Sequence, residues 1–445
     1  MKEKVGLFLS ILFLSLCSCN KIYLHEILHH GDDSTDTSLP VPQFNIVYGG
    51  TKRDGGAAIA KTADGGYIMA GSTESNDGDV SGNHGLYDAW VVKIDKSGNK
   101  TWQKALGGTG YDVANSVITT SDGGYVMAGY ANSNDGDVKG NHGASDAWVV
   151  KLNASGNIVW QKALGGTNAD EARSITAASD GGYFIAGITL SNDGDVTGKH
   201  GGFDAWVIKL DNSGNKVWQK ALGSTGYDVG NAIITTSDGG CVMAGDVSAN
   251  DGDASGYHGG LDAWVVKLDG KGNIVWQHAL GGTSDDEAKS IMPTSDGGYV
   301  IAGGTRSFNG DVSGFHGAGD AWVVKLDPVG NKVWQKALGG TGFDYAYSIT
   351  TTTDGGCVMA GSADSKDGDV SGVHGGADAW MVKLDATGNK VWQKVQGGTG
   401  YDGGNAIITT TDGGFIIAGD SFSNDGDLSG NHGVSDAWIV TSKNP

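Results

Sequence analysis

A seven-bladed, all-β propeller is the fold this sequence predicts, and three observations predict it. The first is a repeat. The tryptophan of an Asp-Ala-Trp triplet stands at Trp90, Trp148, Trp206, Trp264, Trp322, Trp380 and Trp438, with a constant step of 58 residues (148 − 90, 206 − 148). A second series, Trp102, Trp160, Trp218, Trp276, Trp334 and Trp392, keeps the same step, and together the two series account for all 13 tryptophans. A fixed period of this size marks ring-like or stacked repeats. The second observation is the content of one period: four short apolar runs bounded by Gly, Asn and Asp, the pattern of four antiparallel strands. The third is how the series ends. The last copy stops at Trp438-Ile439-Val440 with no fourth run, while residues 43–48 are a fourth run without companions. Counting back 58 from Trp102 lands on Phe44. The N-terminal strand therefore completes the C-terminal blade and closes the ring.

Taken in order, the chain begins with Lys2 and Lys4 before an apolar run, residues 5–16, too short to span a bilayer. The run ends Leu16-Cys17-Ser18-Cys19, which resembles the bacterial lipobox. That resemblance implies a signal peptide over residues 1–18 and a lipid on Cys19, with Cys17 the poorer acceptor because Leu16 precedes it. Residues 19–42 are polar, end Pro40-Val41-Pro42 and read as anchor and flexible tether. They contain His25-Glu26-Ile27-Leu28-His29, the spacing of a zinc-protease helix, but no helical pattern surrounds it and chance explains it better.

Residues 43–445 are the propeller. In the second copy strand a is expected over 114–119, strand b over 125–129, strand c over 147–152 and strand d over 158–164. Asp-Gly-Gly makes the a–b turn in every copy (Asp64, Asp122, Asp180, Asp238, Asp296, Asp354, Asp412). Strand c is apolar on both faces, as a sheet between neighbours requires. Strand d mixes Trp with Gln and Lys, which suits an outer edge. Cys241 and Cys357 share one slot in two copies that are not neighbours, too far apart for a disulfide, and read as small core residues.

The run Asp146-Ala147-Trp148-Val149-Val150-Lys151-Leu152, followed by Gly-Asn and then Gly165-Gly166-Thr167, resembles the bacterial β-propeller repeat called SBBP. The resemblance covers residues 43–445 and implies a propeller on bacterial surface or secreted proteins, with no assigned chemistry. Residues 385–392, Asp-Ala-Thr-Gly-Asn-Lys-Val-Trp, also resemble the tryptophan-docking motif of quinoprotein propellers, which implies a Trp packed between blades and no quinone.

The net charge of −21 argues against nucleic acid and anionic membrane surfaces and is compatible with cations. Strand alternation puts the b–c loops and d–a connections on one face. The first b–c loop carries oxygen side chains at positions 1, 3, 5 and 12 (Asp77, Asp79, Ser81, Asp88) and Gly82 at 6, a partial EF-hand pattern. The same positions are Asp193, Asp195, Thr197 and Asp204 in copy three, and Asp251, Asp253, Ser255 and Asp262 in copy four. They are Asp367, Asp369, Ser371 and Asp378 in copy six, and Asp425, Asp427, Ser429 and Asp436 in copy seven. Two readings stand: calcium ligands, or turn residues bonding local backbone N–H groups. Lys139 at position 5 of copy two argues against a cation there.

Two more positions recur on that face: His84, His142, His200, His258, His316, His374 and His432 in the b–c loops, and Asp54, Asp112, Asp170, Asp228, Asp286, Asp344 and Asp402 in the d–a connections. They read as structural braces, each His pinned by a nearby Asp or carbonyl, or as a polar ring for a ligand. The blades are otherwise nearly interchangeable. Departures such as Lys52-Arg53, Arg173, Glu287, Lys289, Tyr345 and Tyr347 fall near the mouth of the central channel. No nucleophile elbow and no reactive Cys stands beside the His–Asp positions, so no catalytic residue is assigned.

The functional expectation is a monomeric, lipid-anchored lipoprotein of a Gram-negative-type outer membrane or cell surface. It binds or scaffolds a protein or glycan partner and carries no organic cofactor, with calcium the one candidate ion. An extracellular glycan or peptide hydrolase or lyase acting at the channel mouth, and an outer-membrane assembly scaffold, are the alternatives.

Overall fold

The computed structural model describes residues 43–443; the signal, anchor, tether and His25–His29 motif lie outside the described residues. Every regular element described is a strand, 28 in all, and they form seven four-stranded antiparallel sheets. The first blade contains β2 (Asp54–Lys61), β3 (Tyr67–Thr73), β4 (Asp88–Ile94) and β5 (Lys100–Leu106), paired in sequence order. Five more blades repeat this order. The seventh combines β26 (Asp402–Thr409), β27 (Phe415–Ser421) and β28 (Asp436–Ser442) with β1 (Asn45–Tyr48). The expected closure is therefore the one observed, in the register Asn45↔Val440 to Tyr48↔Ala437.

Phe44 takes the tryptophan slot it was expected to take. Its ring packs on Tyr67 with centroids 6.4 Å apart, as Trp102 packs on Tyr125 at 5.8 Å and Trp160 on Tyr183 at 6.1 Å. Each outer Trp thus reaches the next blade. It also covers that blade's c–d turn glycine, where a Cβ on Gly156 would come 2.8 Å from the Trp102 ring. The Asp-Ala-Trp tryptophans are the largest fully buried side chains. Trp90 Nε1 donates to Gln103 Oε1 at 2.9 Å across the c and d strands. In the closing blade Asn45 Oδ1 takes that role for Trp438 at 2.5 Å.

The a–b turn joins sequence to packing. Gly123 has φ +78° and follows Asp122, whose carboxylate accepts the Gly124 N–H at 3.0 Å and the buried Lys151 ammonium at 2.7 Å. Strand c, expected to be apolar on both faces, therefore contains one cation whose stem is buried and whose head is neutralised by the turn. The core is divided among the blade interfaces, each cluster mixing residues of two adjacent sheets. Cys241 and Cys357 lie buried in two such clusters, as unpaired thiols.

Candidate functional site

The b–c loops and d–a connections do share a face, and hydrogen bonds tie them together. In the first loop Asp77 accepts the Thr51 N–H and Oγ1–H, each at 2.8 Å. Asp79 Oδ1 pairs with the Lys100 ammonium at 2.6 Å. Ser81 Oγ accepts from Gln103 Nε2 at 2.8 Å. Asp88 accepts the His84 N–H at 3.0 Å and faces His84 Nδ1 at 2.6 Å. Copies three and six repeat the whole set, with Asp193–Thr167, Asp195–Lys216, Thr197–Gln219 and Asp204–His200 in the former and Asp367–Thr341, Asp369–Lys390, Ser371–Gln393 and Asp378–His374 in the latter. Copies four and seven repeat the threonine and histidine contacts at Asp251, Asp262, Asp425 and Asp436.

Calcium takes roughly six to eight converging oxygens. Here the four expected ligand positions each turn to a different protein partner, and among the described residues no group of three or more His, Cys, Asp or Glu gathers as a metal would need. This donor set does not fit calcium; it has the bonding of turns braced to their neighbours.

The histidines are braced as well. All seven face the Asp four residues on, at 2.5 to 3.0 Å. Their partner is the Asp of Asp-Ala-Trp. The recurring d–a aspartates form a separate, buried brace: Asp112 accepts the Gly108 N–H at 2.8 Å and the Ser133 hydroxyl at 2.6 Å. The two sets approach each other at Gly107, where a Cβ would lie 2.7 Å from both Asp88 Oδ1 and Asp112 Oδ2. The second oxygen of Asp88, Asp146, Asp262, Asp320, Asp378 and Asp436 is buried without a hydrogen-bond partner. Burial pushes the Asp88 carboxyl up and the Asp262 carboxyl to about 6, and the bond to Asp88 raises His84.

The asymmetric residues have a different placement. Strand a carries a β-bulge at the same repeat position in all seven blades, as between Ala172 and Ser174 in blade 3 and between Gly230 and Ala232 in blade 4. A bulge re-aims the extra side chain. The residue it re-aims is Ala57, Asn115, Arg173, Asn231, Lys289, Tyr347 or Asn405 in blades 1 to 7. Opposite the bulge strand b is always glycine: a Cβ on Gly129 would meet the Val113 carbonyl at 1.8 Å. Bulged asparagines bond to the strand a of the next blade. Asn115 Nδ2 donates to the Ala172 carbonyl at 2.9 Å, and Asn405 Nδ2 to that of Gly56 at 3.1 Å.

Blades 3 to 5 hold a connected polar network at this level. Arg173 Nη1 donates to Asn231 Oδ1 at 2.8 Å, Asn231 Nδ2 donates to Asp246 Oδ2 at 2.9 Å, and Lys289 Nζ lies 2.9 Å from Glu287 and 3.4 Å from Asp246. Blade 6 contributes Tyr345 and Tyr347, stacked with centroids 6.3 Å apart and planes 14° apart. Tyr345 lies where a side chain on Gly304 would stand, since a Cβ there would be 2.2 Å from its ring. Asp246 and Asp420, on strand b, belong to this set and escaped sequence reasoning. Comparing the copies slot by slot would have found them: the slot reads Ser72, Tyr130, Ile188, Asp246, Gly304, Ser362, Asp420.

The exposed aromatics share the face. Tyr111, Tyr227, Phe343 and Tyr401 stand in d–a connections, Phe308 and Phe422 at the starts of b–c loops. Tyr111 stacks on Tyr87 at 5.6 Å, Tyr227 packs at a tilt of 37° against Phe203 at 5.5 Å, and the Arg306 guanidinium lies 5.9 Å above Phe343.

No family model matches the chain. A curated relative, the regulatory protein FlaEY of Caulobacter vibrioides, is 28% identical over 168 residues, 35% of this chain. The match spans 17% of that relative's length. Among solved structures the WD40 propeller domain of Doa1 covers 90% of this chain and 97% of its own at 10% identity, with a TM-score of 0.51. BamB of Moraxella catarrhalis matches 89% of this chain and 86% of its own at 14% identity and a TM-score of 0.41. A protein of unknown function from Bacteroides caccae matches 66% and 94% at 15% identity and a TM-score of 0.38. The likeness to the Doa1 domain is one of fold.

Proposed function

We propose that this chain is an extracytoplasmic binding or scaffold module whose working surface is the face built by the b–c loops and d–a connections. One observation carries the reading. The six exposed Phe and Tyr side chains among the described residues, Tyr111, Tyr227, Phe308, Phe343, Tyr401 and Phe422, all stand on that face, and Phe308 is 74% exposed. The large apolar residues exposed elsewhere are Val and Ile side chains on outer strands or turns, such as Val217 and Val329. Exposed aromatic clusters mark interaction sites, because Tyr and Phe offer large contact area at low entropic cost. The Cys19 motif supports presentation from an outer membrane through lipid, and the resemblance to surface propeller repeats supports the same placement.

Site-directed photo-crosslinking in the native membrane tests this. A photoreactive phenylalanine at position 111 or 308 is expected to capture one defined partner, and the same probe at Val217 or Val333 on the outer strands to capture none. Capture from the outer strands alone, or from no position, overturns the assignment.

A further inference from the structure

We infer that two clefts at the outer strands, one between blades 1 and 2 and one between blades 3 and 4, each receive a primary ammonium group, carried by a lysine side chain of the protein partner. The carrier, though not the ammonium site, rests on the chain being a protein-binding module. The argument starts from one slot of the repeat. Strand d opens with Lys100, Lys216, Lys332 and Lys390 in blades 1, 3, 5 and 6. Each Nζ meets the third b–c loop position of its own blade, Asp79, Asp195, Asp311 or Asp369, at 2.5 to 2.6 Å from Oδ1 and 2.8 to 3.3 Å from the backbone carbonyl. In blade 7 Asn45 Nδ2 donates to the equivalent carbonyl, that of Asp427, at 2.7 Å. Blades 2 and 4 keep the carboxylate as Asp137 and Asp253 but have Ile158 and Ile274 in the lysine slot. The carboxylates hold their place without a lysine: Oδ2 accepts the Gly107 N–H at 3.4 Å and the Gly223 N–H at 3.3 Å, as Asp79 Oδ2 accepts that of Gly49 at 3.4 Å. Oδ1 of Asp137 and of Asp253 receives no donor among the described residues, and the nearest cation, His200 Nε2, lies 3.6 Å from the other oxygen of Asp253.

These acceptors open onto space. Asp137 and Ile158 share a cleft of about 440 Å³ with His84 and Lys104 of blade 1, and Asp253 and Ile274 share one of about 450 Å³ with His200 and Lys220 of blade 3. The cleft between blades 5 and 6 has Lys390 in the isoleucine's place and measures about 380 Å³. Lys336 lines it where Lys104 and Lys220 line the other two, and an ammonium still sits on Asp369. A lysine on that wall is therefore compatible with a cation on the acceptor. One carboxylate oxygen beside one carbonyl suits a compact cation with three donors. A planar guanidinium matches two carboxylate oxygens side by side, and here Oδ2 is already turned to a glycine N–H. Two oxygens also fall well short of the roughly six to eight that calcium takes. The isoleucine adds apolar surface for the methylene stem of an incoming lysine.

The test follows the methyl resonances of Ile158 and Ile274 in the full chain during titration with lysine blocked at both backbone ends. Saturable shifts at these two isoleucines are expected, with blocked arginine and side-chain-acetylated lysine binding at least about tenfold more weakly. Asp137→Asn is expected to weaken the response of Ile158 about tenfold and to leave that of Ile274 unchanged, because a charge-assisted hydrogen bond is lost at one cleft alone. Lys216→Ile, which copies the arrangement of blade 2 into blade 3, is expected to add a third responding isoleucine. Thermal melts establish that each variant is folded. Silence at both isoleucines, equal affinity for blocked arginine, or no third response in Lys216→Ile overturns the inference. The carrier is tested with Ile158→Lys and Ile274→Lys together, which fill both acceptors as Lys216 fills its own. This double variant is expected to cut capture of the partner by the probe at position 111 severalfold, and unchanged capture would assign the clefts to a free amine and overturn the partner's lysine. If the isoleucines are silent while the probes at positions 111 and 308 capture a protein, the ammonium site is wrong and the binding face stands. If the isoleucines respond and no probe captures anything, the ammonium site stands and its protein carrier falls.

Discussion

A buried aspartate, the first residue of every Asp-Ala-Trp triplet, ties the stability of this face to pH. Asp262 is buried, its Oδ2 meets His258 Nδ1 at 2.7 Å and its Oδ1 has no partner, so its carboxyl stays protonated up to about 6. A carboxyl whose folded pKa is raised holds a proton the unfolded chain has released. Stability is therefore lost as pH rises from the ordinary carboxylate range through about 6. The raised His84 acts in the same direction, since its contribution is present below the unfolded histidine pKa and lost as pH rises through the folded value. The turn aspartates oppose this at the acid extreme: the Lys267 bond holds Asp238 at about 2, and that support goes only as pH falls through about 2. The melting temperature is thus expected to be highest near about pH 4 and to decline as pH rises through about 6. Asp262→Asn is expected to reduce the decline, and a scan in which the variant and the parent have the same slope would refute the role given to the carboxyl. The pairing itself was only half legible. Invariant spacing marked each His and Asp as structural, but which aspartate met the His depended on a loop path that composition does not encode.

At the scale of the strand, the bulge and its glycine are one device. The b-strand glycine is present because the strand-a carbonyl bulges toward it, and a Cβ on Gly129 would have to displace the Val113 backbone. The a–b turn glycine differs: nothing stands within 4 Å of a Cβ on Gly123, and only its φ of +78° is at stake. Gly129→Ala is accordingly expected to cost several kcal/mol, about 3 or more, through forced backbone movement. Gly123→Ala is expected to cost about 1 kcal/mol, the strain of a left-handed alanine. Urea denaturation of both variants checks the order, and equal losses would show that the bulge does not press on the glycine. The b–c loop is the second element with a clear expectation. Its carboxylates are bonded to Thr, Lys and His, so chelator followed by calcium or magnesium is expected to leave the melting temperature unmoved. A calcium-specific rise would mean that the loops rearrange to gather their oxygens, because a ligand that binds only the native state stabilises it by mass action. Strand positions were legible to within a few residues because period-two apolarity and Asp-Gly turns both depend on sequence neighbours. The bulge was not, since it depends on the ring that strand a faces.

For the molecule as a whole, the repeat separates frame from content. Frame residues such as Trp148, Gly129 and Asp146 recur in every copy, whereas the first and third inner positions of strand a and the facing strand-b slot change from blade to blade. Content is nonetheless constrained by the neighbouring blade. Tyr345 of blade 6 fits because blade 5 has Gly304 beneath it. The equivalent pair in blades 2 and 1 is Val113 and Ser72. A tyrosine placed at 113 alone would meet the Ser72 side chain, which forces the ring off its rotamer at a cost of about 1 to 3 kcal/mol. Val113→Tyr is therefore expected to lower the melting temperature, and Val113→Tyr with Ser72→Gly to recover most of the loss. Recovery beyond the sum of the single effects is the signature of two residues in contact. Strict additivity would mean that the blades accept their inner residues independently. The mouth would then be an assembly of seven separate choices, and the coupling seen between Tyr345 and Gly304 would be peculiar to blade 6.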